Sequence, residues 1–460
     1  MTANNLVGPN GQLYAELNPG SDEDAFRTDN TSSAYYNSVY YLQHQKQVQA
    51  IPPPRGGVPL QMQLSDYVGS GIIAQIQAAR QVVFHCVGDT GAAKVAKNQT
   101  VATAIAHEAG VADAMAADLQ TGAANPPAFF FHLGDVVYNF GEGIYYYDQF
   151  YEPFRAYDRP IFAIPGNHDG MVFGNTPDVP QTPTLQAFLR NFCATATGPS
   201  SDAGGLVRSV MNQPGVYFTL EAPFVSIIGL YSNVLDGPGV ISSQNGHYPI
   251  TDEQLTFLKS ELTRLKPKRA AGTQSVMLAV HHPPLSADSK HGGSGGVSDD
   301  IDSACKAVGL WPDVVLSGHA HLYQRFTRNI PGGQQIPYVV CGAGGFAATA
   351  PQTALPPAPV TYGDHTLEVD PIVDFGYLTI TASAAQVTVA FRSPTANGVR
   401  QMDSVTVDLA SHTISSGASS NAPAGSPAKA KSKTPKASPK PSTPKRKANP
   451  PAKSKRVGRK

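Results

Sequence analysis

Six short apolar runs, each followed by glycine or a polar cluster, constrain the fold of this 460-residue chain more than any other feature. They read VVFHCVGD, AFFFHLGD, IFAIPGNHD, VMLAVHHPP, VVLSGHAH and YVVCGAGG, and they lie between residues 82 and 345. Apolar runs of this length without alternation are typical of strands buried on both faces. The pattern therefore predicts an α/β fold built around a covered sheet.

The segments around these runs support that prediction. VATAIAHEAGVADAMAADL, residues 101–119, is rich in alanine with apolar residues at helical spacing. DEQLTFLKSELTRLK, residues 252–266, begins with acidic residues and ends with basic ones, as helices do. FGYLTITASAAQVTVAFRS and DSVTVDL alternate like antiparallel strands, which predicts a β-rich end of the domain near residue 410.

Composition predicts three parts of the chain. Residues 1–80 are polar and predict an N-terminal extension that wraps the core, with one helix near Leu64 to Ala79. Residues 81–412 carry the apolar runs and predict the folded domain of the chain. Residues 413–460 contain 13 Lys or Arg and no Asp or Glu, and this Lys/Pro/Ser-rich tail has too little to bury, which predicts disorder.

The basic tail and the rest of the chain carry opposite net charges. The whole chain has 34 basic and 34 acidic residues, so 34 − 13 = 21 basic residues face 34 acidic ones before position 413. Cations on a flexible chain bind polyanions in a salt-dependent way, so nucleic acid or another polyanion is an expected partner. The alternative is that the tail folds back on the acidic body.

Several classes of protein and site are excluded. No stretch approaches the roughly 18 apolar residues of a membrane span, so no integral membrane segment is expected. MTANNLVGPNGQLYAEL lacks the basic start and apolar core of a secretory signal, which predicts a cytoplasmic location by default. Cys86, Cys193, Cys305 and Cys341 form no CxxC pair, so free buried thiols are expected.

Metal-ligand residue types follow five predicted strands. The clusters are Gly88-Asp89-Thr90-Gly91, Gly134-Asp135-Val136-Val137-Tyr138, Gly166-Asn167-His168-Asp169, His281-His282-Pro283 and Gly318-His319-Ala320-His321. One Gly-Asp pair is usually only a turn, and one histidine pair usually lies in the core or on the surface. Side chains at neighbouring strand ends converge, however, and this mixture of carboxylate, amide and imidazole suits two adjacent metal ions such as Fe, Mn or Zn.

The series GDTG, GDVVY, GNHD, HHP and GHAH, followed by Leu322-Tyr323-Gln324-Arg325, resembles the calcineurin-like metallophosphoesterases from residue 82 to about residue 405. The resemblance is to the purple acid phosphatase branch in particular. The first motif has no histidine two positions after Asp89, and Tyr138 lies three residues after Asp135. The resemblance implies a metallophosphoesterase-type β-sandwich flanked by helices in αββα layers.

The resemblance also implies a role for each ligand. A ferric ion would be held by Asp89, Tyr138 and His321. A second ion, Fe(II), Zn or Mn, would be held by Asn167, His281 and His319, and Asp135 would bridge both. His281 is preferred to His282 because it precedes Pro283 by two residues. His168 would assist the leaving group, and Asp169 would orient it.

The implied activity is hydrolysis of phosphomonoesters by in-line attack of a metal-bound hydroxide, on a phosphorylated small molecule or protein. Phosphodiesters or nucleotides are the alternative substrates, and a polyanion-binding protein localised by its tail is the alternative of another class. Family relatives are typically secreted, which conflicts with the missing signal.

Some residues keep a structural alternative. His168 would then be a structural partner, Tyr138 a core aromatic and Arg325 a salt-bridge residue. His85 and His132 are predicted to be hydrogen-bonded core or second-layer histidines. No role is assigned to His107, His247, His291, His365 or His412. Segments 170–213 and 286–300 are expected to shape the substrate pocket, although the second would equally suit a flexible surface loop.

Overall fold

The computed structural model describes residues 51–91, 101–120, 122–123, 125–138, 141–170, 184–206, 208–232, 239–246, 248 and 250–417. Most of the predicted N-terminal extension and nearly all of the basic tail lie outside these residues. The middle of the loop predicted to line the pocket, residues 171–183, and His247 lie outside them as well.

The described residues form two sheets, the first of which has seven strands. These are β2 (Gln81–Val87), β3 (Phe130–His132), β4 (Ile161–Ala163), β13 (Tyr377–Ser383), β14 (Gln386–Thr395), β15 (Gly398–Asp408) and β16 (Thr413–Gly417). Their order is β16-β15-β14-β13-β2-β3-β4. Strands β2, β3 and β4 are parallel, and β13 to β16 add an antiparallel half. The predicted antiparallel end of the domain is confirmed.

The second sheet has nine strands. These are β1 (Gln61–Gln63), β5 (Phe218–Ala222), β6 (Phe224–Leu230), β7 (Gln274–Val280), β8 (Val314–Ser317), β9 (Tyr323–Asn329), β10 (Gln335–Cys341), β11 (Val360–Tyr362) and β12 (His365–Leu367). Their order is β1-β5-β6-β7-β8-β10-β9-β12-β11. Strands β6, β7, β8 and β10 are parallel neighbours, so all six apolar runs form strands in one sheet or the other.

The two sheets pack face to face, with helices outside them. The helices are α1 (Ser70–Ala79), α2 (Val101–Asp118), α3 (Asn167–Gly170), α4 (Gln186–Phe192), α5 (Glu253–Ala270) and α6 (Gly295–Val308). Strands β2 and β13 contact β6 and β7, and the rings of Phe131 and Phe218 meet across the interface with centroids 6.1 Å apart. Helices α1 and α2 pack on the first sheet and α5 on the second. The predicted αββα layers and the helices predicted over residues 101–119 and 252–266 are confirmed.

Arg325 joins the two sheets. Its Nε donates to Asp403 Oδ2 at 2.6 Å and its Nη2 to Asp403 Oδ1 at 3.2 Å, which links β9 to β15. The Tyr323 hydroxyl donates to the same carboxylate at 2.8 Å. The Arg325 side chain is 1% exposed, so its position matches the salt-bridge alternative rather than a phosphate contact.

The described elements bear on the expected limits of the first helix, the extension and the tail. The helix expected from Leu64 begins at Ser70, because Leu64–Asp66 forms a 3₁₀ turn and Gly69 precedes the α-helix in extended backbone. Residues 61–63 pair with β5, so this part of the predicted extension belongs to a sheet. The first residues of the predicted tail, Thr413–Gly417, pair with β15 as strand β16. The lysine-rich composition starts only at Lys429.

Other predictions agree with the described residues. All four cysteines are free, three of them buried and Cys193 half-buried. Buried His85 contacts the Tyr157 hydroxyl at 3.1 Å and Asp118 Oδ2 at 3.3 Å, as expected of a core histidine. Among the described helices, none has the length and apolar character that crossing a bilayer requires.

Candidate metal centre

The predicted ligands meet because strands from both sheets end at one edge of the sandwich. Asp89, Asp135 and Asn167 follow β2, β3 and β4 of the first sheet, and His281 and His319 follow β7 and β8 of the second. Asp89, Asp135 and His319 have φ angles of 58°, 55° and 67°. Backbone of this left-handed kind costs of order 1–3 kcal/mol in non-glycine residues and clusters at functional sites.

Glycines let these turns approach each other. A Cβ on Gly166 would overlap the Asp135 carboxylate, and a Cβ on Gly318 would lie 2.6 Å from Asp89 Oδ2. Gly134 has φ 97°, and its Cβ would lie 2.6 Å from the amide nitrogen of Gly166. Close packing of the turns therefore requires glycine at these three positions, which precede Asp135, Asn167 and His319.

The centre of the site fits a cation. One ligand atom each of Asp89, Asp135 and His281 lies within 4.8 Å of the others, and all three residues are buried. Asp135 Oδ2 lies 3.4 Å from His281 Nε2 and has no hydrogen-bond partner in the described part of the chain. Since an unsatisfied buried carboxylate oxygen is costly, this donor set suits a metal ion.

Neighbouring groups orient the second set of donors. His281 Nδ1 lies 2.8 Å from the Leu133 carbonyl, to which it donates, so Nε2 points into the site. Asn167 Oδ1 lies 3.1 Å from both His281 Nε2 and His319 Nδ1. The main-chain nitrogen of His319 donates to Asp89 Oδ2 at 2.8 Å. The structure thus brings the predicted second-ion ligands together.

Tyr138 and His321 lie on the other side of Asp89. The Tyr138 hydroxyl donates to Asp89 Oδ1 at 3.0 Å and lies 3.5 Å from His321 Nε2. His321 Nε2 is 3.4 Å from Asp89 Oδ1. The phenol ring stacks on Phe346 with centroids 3.5 Å apart. The structure therefore brings all seven predicted ligands into one site.

The electrostatics of the site favour a cation. Burial alone would raise the pKa of Asp135, but the charges of His281 and His168 hold it well below its usual range. Burial would lower the pKa of His281, yet the Asp135 carboxylate raises it to about 9. Burial, Asp135 and Asp89 raise the pKa of Tyr138 well above its usual value. A cation entering the site would therefore displace protons from His281 and Tyr138.

Asp169 contacts main-chain amides. Its carboxylate accepts hydrogen bonds from the nitrogens of Val136 at 3.1 Å and Gly166 at 2.9 Å. Burial and the charge of Asp135 raise the pKa of Asp169 to about 7. These contacts fix the turn after β3 to the turn after β4. The orientation of His168 by Asp169 stays a prediction.

His168 lies at the more open side of the site. Its main-chain nitrogen donates to Asp135 Oδ1 at 2.9 Å, and its half-buried ring lies 4.5 Å from the ring of Tyr138. Behind the site, His132 Nδ1 accepts from the Gly134 nitrogen at 3.1 Å, and its Nε2 therefore donates to the Thr90 hydroxyl at 2.9 Å. Burial lowers the pKa of His132 to about 3, as expected of a neutral histidine in the second layer.

His291 belongs to the site although no motif marked it. Its ring centroid lies 4.6 Å from that of His319 and 5.2 Å from that of His321, and its side chain is 13% exposed. It lies ten residues after His281, in the segment that leaves the same strand end. That position was its only signal in the sequence. His282 also borders the site, with its ring 4.2 Å from His319 and Nδ1 2.7 Å from the Ser232 hydroxyl oxygen.

A family model described as "Calcineurin-like phosphoesterase" matches residues 82–323, more than half of the chain. The chain belongs to the calcineurin-like phosphoesterase family. The matched residues include all seven predicted ligands, and membership makes this protein a phosphoesterase hydrolase. Members of the family typically bind two metal ions, and Asp89, Asp135 and His281 form a candidate site for them.

Comparison with solved structures finds similar chains of low identity. "GAP50 the anchor in the inner membrane complex of Plasmodium" is 14% identical, with 68% of this chain and 84% of that chain covered and a TM-score of 0.45. "Structure of PhoD" is 14% identical, with 81% and 74% covered and a TM-score of 0.42. A dimetal phosphatase from Danio rerio is 11% identical, with 68% and 96% covered and a TM-score of 0.39. No curated protein sequence matches the chain.

Proposed function

We propose that this phosphoesterase hydrolyses phosphomonoesters at a two-metal centre built around Asp135. The observation that carries the proposal is the convergence of seven donor side chains from five turns at one sheet edge, with Asp135 Oδ2 3.4 Å from His281 Nε2 and without a hydrogen-bond partner among the described residues. When bound, two ions would supply Lewis-acid activation of the phosphoryl group and of water.

Distances within the site support a division of the ligands. Asp89, Tyr138 and His321 would hold one ion, since Asp89 Oδ1 lies 3.0 Å from the Tyr138 hydroxyl and 3.4 Å from His321 Nε2. Asn167, His281 and His319 would hold the other, since Asn167 Oδ1 lies 3.1 Å from a nitrogen of each imidazole. Asp135 would serve both ions.

Two partly exposed imidazoles would contact the substrate. His168 lies beside Tyr138, and His291 lies beside His319 and His321. An imidazole near a departing oxygen can donate the proton that this oxygen needs, an effect worth about 10²–10⁴-fold in rate. Asp169 would keep the turns of Asp135 and Asn167 in register through its hydrogen bonds to Val136 and Gly166.

The substrate class rests on the motif set, which resembles that of acid phosphatases. We expect the metal-loaded protein to hydrolyse p-nitrophenyl phosphate at least about tenfold faster than bis(p-nitrophenyl) phosphate, with activity lost on chelation and restored by metal. Initial rates with both esters and metal analysis of the same sample test this. Faster hydrolysis of the diester would favour the phosphodiesterase alternative. Hydrolysis of neither ester by protein with two bound ions would contradict the proposal.

A second candidate function is binding of a polyanion through the tail, favoured by the 13 Lys or Arg and no acidic residue in residues 413–460. A chain ending at Gly417 retains strand β16 and removes every one of these cations. We expect it to keep p-nitrophenyl phosphatase activity within about twofold, since the metal ligands lie far from it in sequence. Its affinity for duplex DNA at low salt should fall by at least about 10-fold, measured by fluorescence anisotropy.

This truncation also separates the two functions. Full-length protein that binds DNA without phosphatase activity would make polyanion binding the main function. Unchanged DNA affinity after truncation would show that the tail is not the binding element.

Tyr138 tests the purple acid phosphatase branch. If the first ion is Fe(III), paired with Fe(II), Zn or Mn, concentrated protein should be coloured by charge transfer from the Tyr138 phenolate, and Tyr138→Phe should abolish the visible band. The phenol is buried against Asp89, and its raised pKa means that a cation must displace the proton. The absorption spectrum and metal content of the two proteins measure this. A colourless, active, manganese-loaded wild type would remove the branch assignment and keep the phosphoesterase one.

A further inference from the structure

A short loop carries His291 to the metal centre. Residues 286–292 leave the site after His281 and return toward it, and Ala287 and Gly292 close the loop through a β-bridge. The Ser286 hydroxyl donates to the His291 carbonyl at 2.7 Å. The Ala287 nitrogen donates at 2.6 Å to Oε1 of the buried Gln324 on β9. The loop therefore has a defined position against the second sheet.

Asp288 is the buried centre of this loop. Its carboxylate oxygen Oδ1 accepts from the main-chain nitrogens of Lys290 at 2.8 Å and His291 at 2.6 Å. Its other oxygen, Oδ2, accepts from the Thr349 hydroxyl. The Asp288 side chain is 0% exposed, and Oδ1 lies 3.7 Å from His291 Nδ1. One carboxylate thus links the backbone of His291 to the side chain of Thr349.

The same carboxylate ties the loop to a metal ligand. Thr349 donates its main-chain nitrogen to the carbonyl of His321 at 3.1 Å. The nitrogen of Ser289 donates to the Ala350 carbonyl at 2.9 Å, which adds a main-chain bond between the same two segments. Displacement of Asp288 would therefore move His291 relative to His321.

We propose that Asp288, held by Thr349, is the positioning residue that keeps His291 over the metal centre for contact with the phosphoryl substrate. The proposal rests on the proposed phosphatase function. A buried carboxylate with three donors can also serve stability alone, so the test needs a measurement that stability does not change. Misplacing a substrate-contacting group by about 1 Å can cost about 10²-fold in rate. If Asp288 were merely structural, its replacement would lower thermal stability, and the effect of replacing His291 would not depend on Asp288.

A double-mutant cycle measures the dependence of His291 on Asp288. We expect Asp288→Ala and His291→Ala each to lower kcat/KM for p-nitrophenyl phosphate by about 10–100-fold. In the double variant, kcat/KM should lie less than about threefold below that of His291→Ala, because Asp288 then has no imidazole to position. Asp288→Asn, which retains an acceptor for the two main-chain nitrogens, should recover most of the activity. Thr349→Ser should behave like wild type and Thr349→Val like a milder Asp288→Ala.

Ser289→Ala is the matched control, because Ser289 is an exposed loop residue that contacts Ala350 through its main chain. Metal content and melting temperature are measured for every variant. Losses that multiply in the double variant, or full activity of Asp288→Ala, would overturn this inference and leave the proposed function intact. Absence of hydrolysis by wild-type protein with two bound ions would overturn both.

Discussion

Asp135→Asn should lower kcat/KM for p-nitrophenyl phosphate by at least about 10³-fold and reduce the bound metal from two ions per chain to one or none. The carboxylate is fully buried, and its Oδ2 lies 3.4 Å from His281 Nε2 within the cluster that includes Asp89. A neutral amide of the same size can offer only one oxygen and no negative charge. It can therefore neither bridge two cations nor offset their charge.

The measurements are steady-state kinetics and metal analysis on the same protein, with circular dichroism to show that the variant is folded. Asp299→Asn is the matched control, since Asp299 is an exposed aspartate on α6 and should leave activity within about twofold of wild type. Two tightly bound ions and near-normal activity in Asp135→Asn would show that the centre is built elsewhere.

The convergence of the ligands could be predicted from sequence because of one geometric rule. Strands buried on both faces show as apolar runs, and in parallel sheets the residues after such strands meet at one edge. Asp89, Asp135, Asn167, His281 and His319 all directly follow such runs. Their chemistry at the ends of five of the six predicted strands was therefore sufficient to predict one site.

Residues fixed by tertiary contacts could not be predicted in the same way. His291 reaches the site because its loop bonds to Gln324 and to the segment from Thr349, which are distant in sequence. Asp169 occupies a motif position, but its carboxylate serves main-chain amides of two turns. The hydrophobic periodicity of the sequence does not indicate such tertiary partners.

The division of the strands between two sheets could not be predicted from the sequence either. The runs that form β2, β3 and β4 look like those that form β7, β8 and β10, yet they lie in different sheets. Only long-range pairing separates them, because β13, almost 300 residues after β2, lies beside it. The short strands β1 and β16 depend on such pairing as well, and composition does not indicate it.

Asp403→Ala should lower the free energy of unfolding by about 3–5 kcal/mol, because it leaves the buried guanidinium of Arg325 without a counter-charge between the two sheets. Arg325 is 1% exposed, and the Asp403 carboxylate accepts from its Nε at 2.6 Å and its Nη2 at 3.2 Å. The Tyr323 hydroxyl would lose the same acceptor, which lies 2.8 Å from it. Urea unfolding followed by circular dichroism measures the loss.

A second variant separates the charge effect from lost packing. Arg325→Met combined with Asp403→Ala removes both charges, so it should recover a large part of the lost stability. Lys306→Ala is the surface control, because this lysine is 65% exposed beside Asp302 and should cost less than about 0.5 kcal/mol. If Asp403→Ala were no worse than this control, the pair would not hold the sheets together. If the double variant were no better than Asp403→Ala, the loss would come from packing and from Tyr323 rather than from an uncompensated charge.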